Sequence, residues 1–255
     1  MTGSTNVLKS VDMVFKILEH LKTEGGKTVT ELSNDFEKPK STIQVYLNTL
    51  YNHNFVTKKG GRYEIGLRFL EYGTHSLMNV PIYPAVKSKV DELAAETGEL
   101  AACFVREERA AIYIYGVEGD RSIRTDLSIG DRSEMYSTAS GKAIMAYLPE
   151  ADIEAIIEEG LEAKTEHTIT DPDALRAELK RIRDRGYATS NEESVEGMRA
   201  VAAPILLDER VVGSISLAGP ANRFVGERYE EAIPSQVCGA ANELELKLTY
   251  SQSGI

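Results

Sequence analysis

The stretches best equipped for chemistry come first. Thr138-Ala-Ser-Gly-Lys142 joins a loop to the start of an apolar helix. Free backbone N–H groups at a helix start can bind a carboxylate, and Gly141 would let a ligand approach the backbone closely. The same residues also make a plain N-cap, with Thr138 or Ser140 bonding its own helix, and the stretch alone leaves both readings open. Lys142 is not a P-loop lysine, because the GxxxxGK[ST] pattern is absent. Glu192, Glu193 and Glu196 could be paired catalytic carboxylates or metal ligands, but three acids in one loop more often form a solvated surface. His20, His53, His75 and His167 are scattered and make no metal spacing. Cys103 and Cys238 are far apart without CxxC spacing, and read as free thiols of a cytoplasmic protein. Cys103 sits in a strand with no cation beside it, so packing is the better reading than reactivity. Ser216, between apolar neighbours in a strand, is either a ligand hydroxyl or a tolerated core serine. No GxSxG and no Ser/His/Asp order appears, so hydrolase chemistry has no support and no cofactor is called for.

A second chemistry is the reading of DNA. Lys38 and Lys40 precede a segment whose outer face carries Ser41, Gln44, Val45 and Asn48, and Lys58, Lys59 and Arg62 follow. Lys40, Thr42, Lys58, Lys59 and Arg62 suit phosphates. Ser41, Gln44, Val45 and Asn48 suit base edges: an amide can pair with adenine, and a methyl can touch thymine.

The elements that would hold these residues are legible. Thr28 and Glu31 fit a capping box, so a helix begins near Val29, and Leu32 and Phe36 share one face. Pro39 suits the first turn of a second helix, whose Ile43, Tyr46, Leu47 and Leu50 recur at helical spacing and face a core. Gly60-Gly61 between two β-leaning runs signals a type I′ hairpin. Helix, helix and basic hairpin in this order make a winged helix-turn-helix; the bland alternative is a helical pair with a surface hairpin. Ser10 to Lys22 adds an amphipathic helix with the stripe Val11, Val14, Phe15, Leu18 and Leu21, which serves the domain core, a dimer seam, or both.

Composition sets the bounds. A chain of 255 residues suits two domains, and 42% hydrophobic with 27% charged residues is an ordinary globular balance. No apolar run of membrane-spanning length exists, and no signal peptide follows Met1. The net charge of −11 argues against nucleic acid until it is divided: residues 1–80 carry +2 and the rest −13. An acidic body with one local basic patch would approach DNA only through that patch.

The remaining chain predicts an α+β domain rather than a doubly wound sheet. Gly66 to Met78 and Tyr83 to Thr97 read as helices. Leu100 to Val105 and Ala110 to Val117 read as a hairpin, and Ser122 to Ile129 as a further strand. The loop 137–142 leads into a helix from Ala143 to Leu148. Helices at 150–159 and from Asp171-Pro172 to Gly186 follow, then strands 187–191, 201–207 and 211–217, and a closing helix 226–250. The domains are a winged helix-turn-helix at 1–66, a helical linker at 67–80, and a second domain at 81–255.

Several segments in order resemble the IclR family of transcriptional regulators, from Ser10 to about Leu248. They include Pro39-Lys-Ser-Thr-Ile43, Gly61-Arg-Tyr-Glu-Ile-Gly66, Ser137-Thr-Ala-Ser-Gly-Lys-Ala143, Ile169-Thr-Asp-Pro172, Glu196-Gly-Met-Arg199, Val201-Ala-Ala-Pro204 and Ser216-Leu-Ala-Gly-Pro220. The resemblance implies a GAF-like effector-binding second domain and homodimers, often paired into tetramers, that control metabolic genes. It implies that Ala139, Ser140 and Gly141 offer N–H groups to an effector carboxylate and that Ser216 supplies a hydroxyl. Three positions depart from the family's polar pocket: Ser190, Ala200 and Ala218 stand where some members carry an acid, a cysteine and a serine. The departures favour a larger acid, such as a sugar acid, over a very small keto acid. Met135, Tyr136 and Met198 are further candidate pocket residues. The rival readings are an enzyme or a cysteine-based redox sensor built on the second domain, and a structural DNA-binding protein without an effector.

Overall fold

The computed structural model describes residues 7–122 and 125–252. The chain divides into two compact units, Met1–Ser76 and Leu77–Ile255.

The first unit packs three helices, α1 (Lys9–Glu24), α2 (Val29–Asp35) and α3 (Lys40–Asn52), against a hairpin of β1 (Val56–Lys59) and β2 (Arg62–Ile65). The capping box forms: the Glu31 N–H donates to Thr28 Oγ1 at 3.2 Å, and the Thr28 N–H donates to Glu31 Oε2 at 2.6 Å. Pro39 is the N-cap of α3 rather than its first helical residue, with ψ at 139°. At the hairpin tip Gly60 and Gly61 both have positive φ, 56° and 85°, as a two-residue I′ turn requires. A bridge from Lys27 to Tyr63 adds a third short strand to the wing.

The core of this unit is Ile17, Leu21, Leu32, Ile43, Leu47, Leu50, Val56 and Tyr63. That corrects the expected stripe of α1. Ile17 is fully buried, whereas Phe15 is 65% and Val11 46% exposed. Leu21, Val14 and Leu18 of that stripe do serve the core, Leu21 buried and the other two packed against it, and Ile17 takes the place of Val11 and Phe15. Helix α4 (Arg68–Met78) buries no residue, and Leu70 and Tyr72 on it are open to solvent.

The second unit is a six-stranded antiparallel sheet in the order β5-β4-β3-β8-β7-β6. Its strands are β3 (Leu100–Glu107), β4 (Ala110–Val117), β5 (Arg132–Glu134), β6 (Ala188–Asn191), β7 (Met198–Leu207) and β8 (Arg210–Pro220). Alternation along each strand sorts the side chains onto two faces. Ala101, Cys103, Val201, Ala203, Ile215 and Leu217 join a core with α5 (Tyr83–Thr97) and α9 (Ile233–Gln252). Ala102, Phe104, Ala188 and Ala202 face the opposite core, built with α6 (Ala139–Met145), α7 (Glu150–Glu158) and α8 (Pro172–Arg185).

Three expectations shift. Residues 125–129 form no strand, and Ile123 and Arg124 of the expected strand lie outside the described residues. The chain turns after them instead, with the Ser128 N–H donating to Asp131 Oδ2 at 2.7 Å, and the edge strand is β5. Helix α6 begins at Ala139, four residues before the apolar run, because Thr138 caps it through the Gly141 N–H at 3.0 Å. The closing helix opens with a π-helical turn, Arg228–Ala232, just before Pro234, which has no N–H to donate.

Candidate functional site

On α3 the apolar face is buried and the other face is open. Lys38, Lys40, Ser41 and Asn48 are exposed, Val45 is 62% exposed, and Thr42 and Gln44 are half-buried. The Gln44 amide is held in place: Nε2 donates to Asn48 Oδ1 at 2.8 Å and to the Tyr63 hydroxyl at 3.1 Å. Tyr63 is itself a core residue of the wing, so the wing orients the central amide of the helix face. Lys58 lies over the Tyr63 ring at 5.0 Å, and Lys59 pairs loosely with Glu64 at 3.3 Å. Both ammonium groups are at the surface, where such contacts are worth little and are easily exchanged for phosphate. Arg62 has a different occupation. Its guanidinium donates to the Gly26 carbonyl at 2.9 Å and to Glu31 at 3.1 Å, bracing the wing against the α2 cap. Two hydrogen bonds from Thr28, with a smaller contribution from Arg62, hold the Glu31 carboxyl down at about 2.

In the second unit a cavity of about 670 Å³ opens on the α6 side of the sheet. Its floor follows from strand register. Ser190 lies opposite Ala200, Ala200 opposite Ala218, and Ala218 opposite Leu100. The next row pairs Ala202 with Ser216, and Ser216 with Ala102. These small side chains on neighbouring strands cannot fill the space between sheet and helix. Ala139, Ser140, Ser190, Met198, Ala200, Ser216 and Ala218 all line the cavity. The Ser216 hydroxyl donates to the Ala102 carbonyl at 3.4 Å, a long bond that leaves the oxygen's lone pairs available. The N–H groups of Ala139 and Ser140, the first two of α6, have no intrahelical acceptor by helix geometry.

Three expected lining residues are elsewhere. Met135 is fully buried in the core beneath α6. Tyr136 donates its hydroxyl to the Glu162 carbonyl at 3.0 Å. The Gly141 N–H is taken by Thr138, and a Cβ on Gly141 would sit 2.5 Å from the Met135 backbone. That glycine therefore serves close packing inside the protein rather than ligand approach.

Other lining residues escaped the sequence reading. Leu100, Ala102 and Phe104 come from β3, Ser194 to Gly197 from the loop before β7, and Lys164, Arg132 and Arg199 bring cations to the rim. Alternation in β3 would have marked the first three once its pairing with β8 was known. Lys164 pairs with Glu134 at 2.6 Å, and Arg199 donates to Asn191 at 2.6 Å and to the Phe224 carbonyl at 2.7 Å.

Two buried ionic pairings also lay outside the sequence reading. Glu193 is not a solvated acid: Lys142 Nζ donates to its two oxygens at 2.7 and 2.5 Å, and the two side chains are 1% and 9% exposed. Burial pulls the Lys142 ammonium below the usual lysine range, with the Glu193 charge opposing that pull. Glu99, fully buried, is held by Arg223 at 2.6 Å and Arg228 at 2.9 Å. As for the cysteines, Cys103 is fully buried and its thiol is pushed up by desolvation, and burial raises Cys238 as well. Thiols so shifted hold little thiolate, the form that reacts. Among the described residues, no group of three His, Cys, Asp or Glu side chains could hold a metal ion, and no helix is long and apolar enough to cross a membrane.

A helix-turn-helix with a wing, linked in one chain to a unit holding a small-molecule cavity, defines a one-component transcription factor. Comparison with known proteins agrees. Residues 10–60 match the IclR helix-turn-helix domain, and residues 74–245 match the bacterial transcriptional regulator IclR C-terminal domain. The chain belongs to the IclR family of transcriptional regulators. It is 32% identical over 252 residues to a probable HTH-type transcriptional regulator, ArcR, of Halobacterium salinarum, covering 96% of this chain and 94% of that protein. The crystal structure of the Thermotoga maritima IclR superposes with a TM-score of 0.81 at 32% identity, covering 94% of this chain and 98% of that one. An IclR homologue of Microbacterium hydrocarbonoxydans, crystallised with 4-hydroxybenzoate, shares the fold with a TM-score of 0.81 at 18% identity, covering 95% and 100% of the two chains. The second unit is thus the family's GAF-like effector domain, and the protein is a ligand-responsive, DNA-binding transcriptional regulator.

Proposed function

We propose that this regulator senses a small organic acid, of the size and polarity of a sugar acid, in the cavity of its second unit. The observation that carries this reading is the floor itself. Three alanines (Ala102, Ala200, Ala218) give room, while Ser140, Ser190 and Ser216 give hydroxyl partners around the first turn of α6. A polyhydroxylated acid needs many hydrogen-bond partners and space, and its carboxylate suits the Ala139 and Ser140 N–H groups. The ligand named for the Microbacterium homologue is also an acid.

On DNA, Ser41, Gln44, Val45 and Asn48 face bases, and Lys38, Lys40, Thr42, Lys58 and Lys59 contact phosphates. Residues 67–80 link a reader, 1–66, to a sensor, 81–255. The protein works in the cytoplasm as a homodimer that reads two half-sites, and a dimer of dimers is the next assembly. Exposed Leu8, Val11 and Phe15 on and before α1, and Leu67 and Leu70 at α4, support a paired state. The acid shifts the population between operator-competent and incompetent arrangements.

The test is a thermal-shift screen of organic and sugar acids, followed by operator binding with and without each hit. Stabilisation by an acid that also changes operator affinity supports the reading. Stabilisation by none of them, or by one that leaves operator binding unchanged, overturns it.

A further inference from the structure

The cavity has two walls from distant parts of the chain. One is the loop and first turn of α6, where Ser137, Thr138, Ala139 and Ser140 face the cavity. The other is the run Ser194 to Met198 leading into β7. Nothing in chain connectivity sets their separation, since Lys142 and Glu193 are 51 residues apart. Lys142 is on the helix of the first wall and Glu193 immediately precedes the second. Their side chains meet behind the cavity, neither of them lining it, in a bidentate contact that solvent scarcely reaches.

We propose that the Lys142–Glu193 pair is a clasp that sets the spacing of the two cavity walls and so sets effector affinity, both being positioning residues. The inference rests on the reading of the cavity as the effector site.

Three further observations point the same way. Glu193 is fastened at its backbone too: Thr168 Oγ1 donates to its carbonyl at 2.6 Å, and Thr165 Oγ1 donates to the Glu192 carbonyl at 2.7 Å. Glu192 itself has positive φ, 61°, and accepts from the Gly197 N–H at 2.9 Å, so the loop is closed on itself. Its position is decided where it is anchored. On the other side, α6 is buried along its whole length. Lys142 thus stands on a buried helix, and its contact with Glu193 is the one charge-assisted, dry anchor among those named for the loop.

A buried ion pair is a poor way to gain stability, since apolar residues of similar size often do as well. Its value lies in direction: a bidentate contact fixes the carboxylate in distance and orientation, which a methionine or leucine contact does not. Supporting residues behind a binding site carry about 10–100-fold of affinity in metal sites, where the effect is best measured.

The test uses the full chain and the double variant K142M/E193M, which removes both charges at once and leaves no buried ion unpaired. Amide hydrogen exchange is followed across the second unit. Affinity for two probe acids, 4-hydroxybenzoate and D-gluconate, is measured alongside binding to a DNA fragment selected from a random pool by the wild-type protein. The expected result is exchange about tenfold faster at residues 193–198 with β3 and β8 still protected, probe affinity lower by about tenfold, and acid-free DNA binding unchanged. Unchanged exchange and probe affinity in the folded double variant overturn the clasp. A uniform rise in exchange over the whole unit also overturns it, because that is what a merely structural pair would give. If the double variant does not fold, Glu193→Gln, which keeps an acceptor for Lys142, is put through the same readouts. If the wild type binds neither probe, the effector reading fails for these acids, and the exchange pattern alone then decides the clasp.

Discussion

Replacing Gln44 by Ala separates reading from mere attachment. In the free protein both N–H groups of Gln44 are engaged, one by Asn48 at 2.8 Å and one by Tyr63 at 3.1 Å. Bidentate pairing with adenine needs one N–H and Oε1, so one internal bond must be given up on binding. A good bidentate pair discriminates by about 1–3 kcal/mol, and surrender of an internal bond places Gln44 in the lower half, about 1–2 kcal/mol. The expected loss for the selected operator is therefore roughly 5- to 30-fold at fixed salt. Tyr63→Phe removes one of the internal bonds without touching the amide, so discrimination at the same base pair survives. The assay is a fluorescence-anisotropy titration of the selected fragment and of a scrambled fragment over a range of salt. For Gln44→Ala the salt slope stays at the wild-type value, because no phosphate contact is lost. Equal weakening on selected and scrambled DNA, or an unchanged preference at every base pair, would refute the assignment of Gln44 to base reading.

Three other outcomes follow from the geometry. Lys40→Ala lowers the log–log salt slope of DNA binding by about 0.9, whereas Arg62→Ala moves it less, since Glu31 already occupies that guanidinium. Glu31 has a carboxyl depressed to about 2 from an ordinary 4.5, so its contribution to folding is complete above about 4.5 and is lost as pH falls towards 2. Glu31→Gln flattens the acid limb of first-unit stability in that window, read by circular dichroism melts, while a parallel acid limb would show that the cap does not carry it. Ala218→Leu projects into the open cavity beside Ala200 and Leu100, so it should abolish the thermal shift from any acid hit while leaving the ligand-free melting temperature near wild type; an undiminished shift would place the ligand elsewhere.

Much of this is legible in the sequence alone, and the reason is local. The capping box, the Gly60-Gly61 turn, the 100–117 hairpin and the Asp171 cap each rest on residues a few positions apart, so their signals survive in a linear reading. What failed depended on distant pairings. Glu193 looked like one of three solvated acids because its partner is 51 residues away. Phe15 looked like core because α1 carries apolar residues on more than one side, and only the fold decides that Ile17 is the one to be covered. Met135 and Tyr136 are candidate pocket residues in the sequence, yet their side chains turn into the core below α6. Of the cavity floor, Ser190, Ala200, Ser216 and Ala218 came from the family resemblance, whereas Leu100, Ala102 and Phe104 of β3 needed the sheet register that sets β3 beside β8.

That floor has a consequence for how such a sensor can diverge. The empty volume comes from missing side-chain atoms on a hydrogen-bonded sheet, not from any gap in the backbone. Ala102, Ala200 and Ala218 are thus dials that single codon changes can turn, towards valine to shrink the site, or towards serine or threonine to add a polar contact. Each change leaves the strand ladder intact, so the scaffold is insulated from the experiments made on its lining. Descendants of one gene could acquire new effectors one residue at a time, passing only through folded, DNA-competent intermediates.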